Sequence, residues 1–280
     1  MATAVEGRRR RRRLPGEVRR LGVLFRTGFR AELQYRGNFL ASILGAAAFQ
    51  GMALAFVGVV VHRFGSIGGW GMAEIAFLYG IRMVSHGVCT VPLGQLWGMD
   101  EVVREGDFDR YLLRPTSTYV QVITRRFPIL AVGDILLGVA VLGSVSAIAP
   151  VDWSPRTVGY LLAAVIGGGL MEGAILTTLS ALAFRFMGSY SLNSFVDNIF
   201  TTFGTYPLAA LGPVVSYGLT FVVPLAFVAY FPATVLLGRT GELFVPVWLA
   251  MGAPVVGAFA YVGSLWFFAR QTRHYASPGH

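Results

Sequence analysis

Two stretches of this chain, Asn38–Val61 and Val245–Phe268, contain no Asp, Glu, Lys or Arg at all. Each exceeds the roughly 20 residues needed to cross a hydrocarbon core of about 30 Å. That single feature decides the class before any other. The rest of the 280 residues agrees, being 55% hydrophobic and 13% charged, where a soluble domain averages about 45–50% apolar and about 25% charged residues. The predicted fold class is all-α, a polytopic membrane protein with six transmembrane helices, over residues 38–61, 71–97, 117–149, 157–184, 193–212 and 245–269.

Between the last two spans lies "GPVVSYGLTFVVPLAFVAYFPATVLLG", from Gly212 to Gly238. It is apolar enough to cross, but Pro213, Pro224 and Pro232 interrupt it, and each proline costs a hydrogen bond in a helix interior. Broken backbone at membrane depth survives only where protein buries it or where it lines a cavity. The segment therefore reads as a re-entrant element before span six, with the three prolines shaping a gate.

Ahead of the first span, residues 1–16 form a basic arm with six adjacent Arg, which repel one another and bury nothing. Residues 17–37 have the amphipathic pattern of an interfacial helix, with Val18, Leu21, Phe25, Phe29 and Leu33 on one arc. In such a chain the arm's partner is anionic lipid, and nucleic acid is not expected. The transmembrane domain covers 38–270, and 271–280 make a tail.

All 23 basic residues are Arg, and their distribution orients the chain. With six spans and the N-terminus inside, the cytoplasmic side takes Arg8–Arg13, Arg19, Arg20, Arg26, Arg30, Arg36, Arg104, Arg110, Arg114, Arg125, Arg126, Arg185, Arg270 and Arg273. The outer side takes only Arg63, Arg156 and Arg239, and Arg82 stays within a span. By the positive-inside rule both termini are cytoplasmic. A seventh crossing would move Arg270 and Arg273 outside. The complete absence of Lys also removes the P-loop lysine that contacts nucleotide phosphates. If ATP drives this protein, another chain binds it. Cys89 is the single cysteine and sits in an apolar run, so it reads as a small core residue.

One block breaks the apolar pattern. Residues 98–116 fall between spans two and three and carry Asp100, Glu101, Glu105, Asp107 and Asp109 beside Arg104, Arg110 and Arg114. Val102, Val103, Phe108, Leu112 and Leu113 interleave as apolar anchors. Pro115 stops a helix entering from Leu113, and Thr118 and Gln121 stand at capping-box spacing for a new one. A positive-inside loop needs the arginines but neither the carboxylates nor the anchors. A short amphipathic helix that docks on a cytosolic partner needs all of them, with Phe108, Leu112 and Leu113 filling a groove.

The stretch "REGDFDRYLLRP" (Arg104–Pro115) resembles the gate-proximal loop of ABC-2 type permeases, in the group with a Gly-x-x-Asp-x-Tyr-Leu-Leu-Arg-Pro-like signature. The matching positions here are Gly106, Asp109, Tyr111, Leu112, Leu113, Arg114 and Pro115. "LAFRFMGS" (182–189), "YP" (206–207) and "PLAFVAYFPATVLLG" (224–238) continue the likeness in order and spacing. The resemblance implies a type II exporter fold, with an N-terminal interfacial helix, six spans, a cytoplasmic coupling helix between spans two and three and a re-entrant element before span six. It implies two copies of a separate ABC ATPase subunit, which hold the ATP and Mg, so that this chain has no cofactor and is not itself an enzyme. A second permease subunit, identical or related, completes the assembly in a bacterial cytoplasmic (inner or plasma) membrane. Substrates across such families include lipids, glycans, peptides and drugs.

Glu74, Arg82, His86, Asp134, Glu172 and Asp197 lie within or at the ends of predicted spans, where ionisable groups are costly and face protein or water. They form either a substrate or proton pathway or an internal pairing that fixes helix packing. Gly169 and Gly173 make a small-xxx-small pair for close helix approach. Trp70, Trp97, Trp153, Trp248 and Trp266 read as interface anchors. No catalytic or metal-binding constellation stands out among the four scattered His. Two other classes remain open. An ion-coupled secondary transporter would show repeat symmetry and paired broken helices, and a lipid-modifying membrane enzyme would show clustered acid, base or metal groups.

Overall fold

The computed structural model describes residues 36–125, 130–186 and 189–277, together with Gly22. The expected basic arm, nearly all of the interfacial helix and Arg126 lie outside the described residues. Every named element is helical: α1 (Arg36–Phe64), α2 (Met72–Leu93), α3 (Met99–Arg104), α4 (Phe108–Leu112), α5 (Thr118–Ile123), α6 (Leu130–Val145), α7 (Pro155–Ala181), α8 (Ser189–Phe203), α9 (Pro213–Phe221), α10 (Tyr230–Leu236), α11 (Val247–Met251) and α12 (Ala253–Gln271).

Three of the described helices are long and apolar enough to cross a membrane, over Ala47–Phe64, Pro155–Phe184 and Ala253–His274, and Ala131–Val145 is a shorter apolar helix. Along α1 the apolar side chains of Leu44, Phe49, Met52, Phe56 and Val59 all face outward, as expected of a helix whose solvent is lipid. The helix α2 is the opposite case. It carries Glu74, Arg82 and His86, and Ile75 through Ser85 are all buried, because α6 and α7 pack along its length. Arg82, which lowers its hydropathy, meets protein there and not lipid.

Three expected spans are broken, two of them where a proline stands. In place of one span over 117–149 there are α5 and α6, with residues 126–129 outside the described set. Near the chain's end, α11 and α12 are separated at Gly252, because Pro254 stands at the start of α12 and supplies no N–H to a continuing helix. Gly204 follows α8, then Pro207 and a 3-10 turn at Leu208–Leu211, so that expected span is likewise interrupted. The proline-rich segment is in three helical pieces, α9, Leu225–Phe227 and α10. Of these α10 is enclosed on all sides while Val214, Phe221 and Val222 of α9 are exposed.

At α7, Pro155 occupies the first turn while the Ser154 hydroxyl accepts from Thr157 N at 3.2 Å and Thr157 Oγ1 accepts from Ser154 N at 2.7 Å. Its glycines then decide the packing. A Cβ on Gly167 would lie 2.3 Å from Pro254 Cα on α12, one on Gly169 would lie 2.8 Å from Val88 on α2, and one on Gly173 would lie 2.6 Å from Leu93. Thus α7 sits between α2 and α12 at backbone distance. The core is continuous along α2, α7 and α10, with a second cluster around Phe108, Phe184 and Phe268 at one end.

The bundle has two distinct ends. Phe108 meets Phe184 and Tyr275 at one, which gathers the charged loop, the end of α7 and the segment after α12. At the other, Trp70 meets Tyr230 and Glu242, and Gly68 abuts Ala210.

Candidate functional site

The charged loop is built on buried side chains. Met99 and Val102 on α3 point inward, and Gly106 turns the chain at φ +73, a conformation that side-chain-bearing residues rarely adopt. Phe108 follows and is fully buried, its ring 4.8 Å from Phe184, 4.9 Å from Tyr275 and 6.0 Å from Tyr111. This corrects the expectation that Phe108 fills a groove on a partner: it is the internal pin of the loop. An aromatic side chain on a short helix can bury only on the side that faces protein, and here that side is this chain's own interior.

The acidic residues divide in the same way. Asp107 pairs with Arg110 at 3.5 Å and with Arg125 at 3.6 Å, Asp109 accepts from Ser277 Oγ at 2.7 Å, and Asp100 accepts from Ser189 Oγ at 3.1 Å. The Tyr275 phenol beside Asp109 is pushed above its usual pKa, by burial first and then by that carboxylate. Glu101, Arg104, Glu105, Arg110 and Arg114 stay exposed, and so do Leu112 at 54% and Leu113 at 86%. Tyr111 is half-buried. The expected Thr118–Gln121 capping box is absent. Ser117 is the cap of α5, and Gln121 Nε2 instead donates to Tyr111 O and Thr116 O, both at 2.9 Å. That side chain ties the loop to the helix that follows it. The outcome is a platform anchored on its inner side, with Leu112 and Leu113 exposed on a loop that also exposes charges of both signs.

The six ionisable residues expected within or at the ends of spans do not form one path. Asp134 accepts from Gln50 Nε2 at 3.1 Å, and Gln50 Oε1 in turn accepts from Tyr79 OH at 2.6 Å. His86 Nδ1 lies 2.5 Å from Glu172 Oε1, with His86 Nε2 3.3 Å from Thr90 Oγ1. The glycine face of α7 permits that pair by bringing Glu172 against α2. Asp197, half-buried on α8, lines the same narrow open cleft as His86 and Glu172. Arg82 is buried one turn before His86, beside Gly204, and lines a separate small cavity with Tyr230.

Glu74 belongs to the other end of the bundle, in a cluster that sequence reasoning missed because its two halves, residues 69–74 and 239–242, are more than 160 residues apart. Arg239 Nε donates to Glu74 Oε1 at 2.8 Å, its Nη1 to Glu242 Oε1 at 2.7 Å and its Nη2 to Gly69 O at 2.7 Å. Trp70 donates from Nε1 to Glu242 Oε2 at 2.8 Å and lies under the guanidinium, 5.3 Å from its carbon. Trp70 is therefore internal, not an interface anchor. Trp97 is half-buried on the cleft, whereas Trp153, Trp248 and Trp266 are exposed. The clasp joins the start of α2 to the segment just after α10. Arg239→Gln should leave Glu74 and Glu242 without their cation and cost about 2 kcal/mol. Thermal unfolding in nanodiscs should show a lower midpoint, and adding Glu74→Gln should restore part of it. Strict additivity of the two changes would show that the pair contributes nothing.

A family model described as ABC-2 family transporter protein matches residues 47–279. No curated protein and no solved structure matches the chain.

Proposed function

This chain belongs to the ABC-2 family of transporter proteins, a membrane-embedded permease component of an ABC transporter, and from that premise we propose that it is the permease of an exporter. In this reading a lipid-like, amphipathic, peptide or drug substrate moves outward across a bacterial cytoplasmic membrane. Two copies of a separate ATPase subunit, which hold the ATP and Mg, drive two permease copies, and no chemistry is performed by this chain. The proline-broken segment 212–238 closes the outer end, held there by the Arg239 clasp.

The observation that carries this reading is the loop platform. Leu112 and Leu113 project outward from a loop whose base is pinned by Phe108 and Gln121. Two exposed leucines beside charges of both signs on an anchored base suit a groove on a soluble partner, where desolvated apolar contacts dominate and charge sets orientation. Because the base contacts Phe184 and Tyr275, a push on the platform reaches the end of α7 and the segment after α12 directly.

Co-expression with the ATPase subunit tests this reading. Glu101→Arg with Glu105→Arg, both exposed, should reduce recovery of the ATPase with the tagged permease, and more strongly at low salt because exposed charges are screened. Undiminished recovery at every salt concentration would remove the loop from the interface. Orientation has its own measurement, in a Cys89→Ser background. Cys placed at Ala276 should stay protected from an impermeant maleimide in intact cells, and Cys placed at Asp152 should label. Labelling at 276 would overturn the six-span topology.

A further inference from the structure

We propose that the cleft between α2, α7 and α8 binds the protonated amine of an amphipathic substrate. The inference deepens the exporter reading and rests on it, because it names the chemical class carried. Its evidence is in the unused hydrogen-bonding capacity of the cleft walls. Glu172 spends Oε1 on His86, while Oε2 is buried with no partner; Asn193 donates through Nδ2 to Ser180 Oγ at 3.3 Å, while Oδ1 is likewise buried and unpartnered. These residues are 9% and 3% exposed, so water does not freely satisfy them.

Both unsatisfied atoms are acceptors, and Asp197 adds a second carboxylate on the facing helix. The ligand that fits must donate hydrogen bonds, and an anion would meet repulsion from both acids. The nearby cations do not fill the role. His86 is already engaged through both ring nitrogens, and Arg82, one turn away, lines the neighbouring cavity with Phe203, Gly204 and Tyr230. Apolar walls include Ile175, Leu176, Leu179, Val196 and Phe200 with the Trp97 ring, which suit an alkyl chain and let an aromatic face meet a cation. The cleft is narrow and open on one side, so it takes the ammonium group alone and leaves the alkyl chain in the bilayer.

The probes are dodecylamine and N-dodecylacetamide, which share a chain and differ in charge at neutral pH. Binding of each to the permease in nanodiscs, without ATPase, is measured by equilibrium partition against empty nanodiscs. Dodecylamine should bind saturably and about tenfold more tightly than the acetamide, the scale of one charge-assisted hydrogen bond. Glu172→Gln should abolish that preference, and Asp134→Asn, which alters an acid outside the cleft, should preserve it. If Glu172→Gln does not fold, Asp197→Asn, a half-buried side chain, should still lower the preference. Equal binding of the two probes to the parent protein overturns the proposal, and so does a folded Glu172→Gln that keeps the full preference. Since ATPase recovery is a separate measurement, a permease that recruits the ATPase but ignores the amine refutes this site and leaves the exporter reading intact. The converse result refutes only the coupling.

Discussion

Gly257→Ala is expected to be the most damaging single methyl that can be added to this protein. A Cβ there would sit 2.1 Å from Gly167 O and 2.9 Å from Gly167 C, and a Cβ on Gly167 would meet Pro254 Cα at 2.3 Å. Both obstacles are backbone, so no side chain can rotate aside and α7 must part from α12. Overpacking in cores that can adjust costs about 1–3 kcal/mol, and a backbone obstacle places this case at the upper end or beyond. The loss is not recovered elsewhere, because lipid is as apolar as the helices and association in a bilayer depends on van der Waals contact. Expression should fall and the thermal midpoint should drop by several degrees or more, with Gly257→Leu worse. Gly159→Ala and Gly263→Ala lie on the same two helices with nothing within 4 Å, and should be neutral. Equal stability of all three Ala variants would show that the close crossing does not hold the bundle.

That crossing shows what a sequence of this kind discloses. The charge-free runs mark a membrane chain, and the spacing of Gly169 and Gly173 marks a close-packed face, since both are short-range patterns. Gly257 has no such mark. It lies among other small residues of α12, and only the position of Gly167 makes it irreplaceable. The ionisable residues follow the same logic. The pattern places Glu74, His86 and Glu172 within or at the ends of spans, but the partners of Glu74 and His86 lie 165 and 86 residues away, and nothing local names them. Trp70 reads as an interface anchor because tryptophan usually is one, and it is buried because Glu242 and Arg239 surround it. Breaks at Pro254 and Pro207 were visible as prolines, yet a hydropathy window averages across them and returns one span where the chain makes two pieces. In the charged loop the residue types were legible and their directions were not. A five-residue helix has no periodicity long enough to say which side of Phe108 and Leu112 faces inward.

Those directions give the loop its decisive test. Leu112→Ala with Leu113→Ala should abolish stable assembly with the ATPase and stop transport, while the permease itself keeps its thermal midpoint. Fully desolvating a leucine contributes about 1.5–3 kcal/mol, so the pair is worth about 3 kcal/mol or more, roughly two orders of magnitude in affinity. Neither side chain holds the fold, being 54% and 86% exposed. Phe108→Ala should do the reverse. It empties a site enclosed by Tyr111, Phe184 and Tyr275 and should cost about 3–5 kcal/mol of stability. Coupling is then lost only because the platform loosens. Phe108→Leu, which refills most of that volume, should recover both stability and ATPase binding, whereas no change at Phe108 should rescue the double leucine variant. The measurements are ATPase recovery, transport and thermal midpoint at matched permease content. If the leucine variant binds and transports like the parent, the block between Asp100 and Arg114 orients the chain in the membrane and does nothing more.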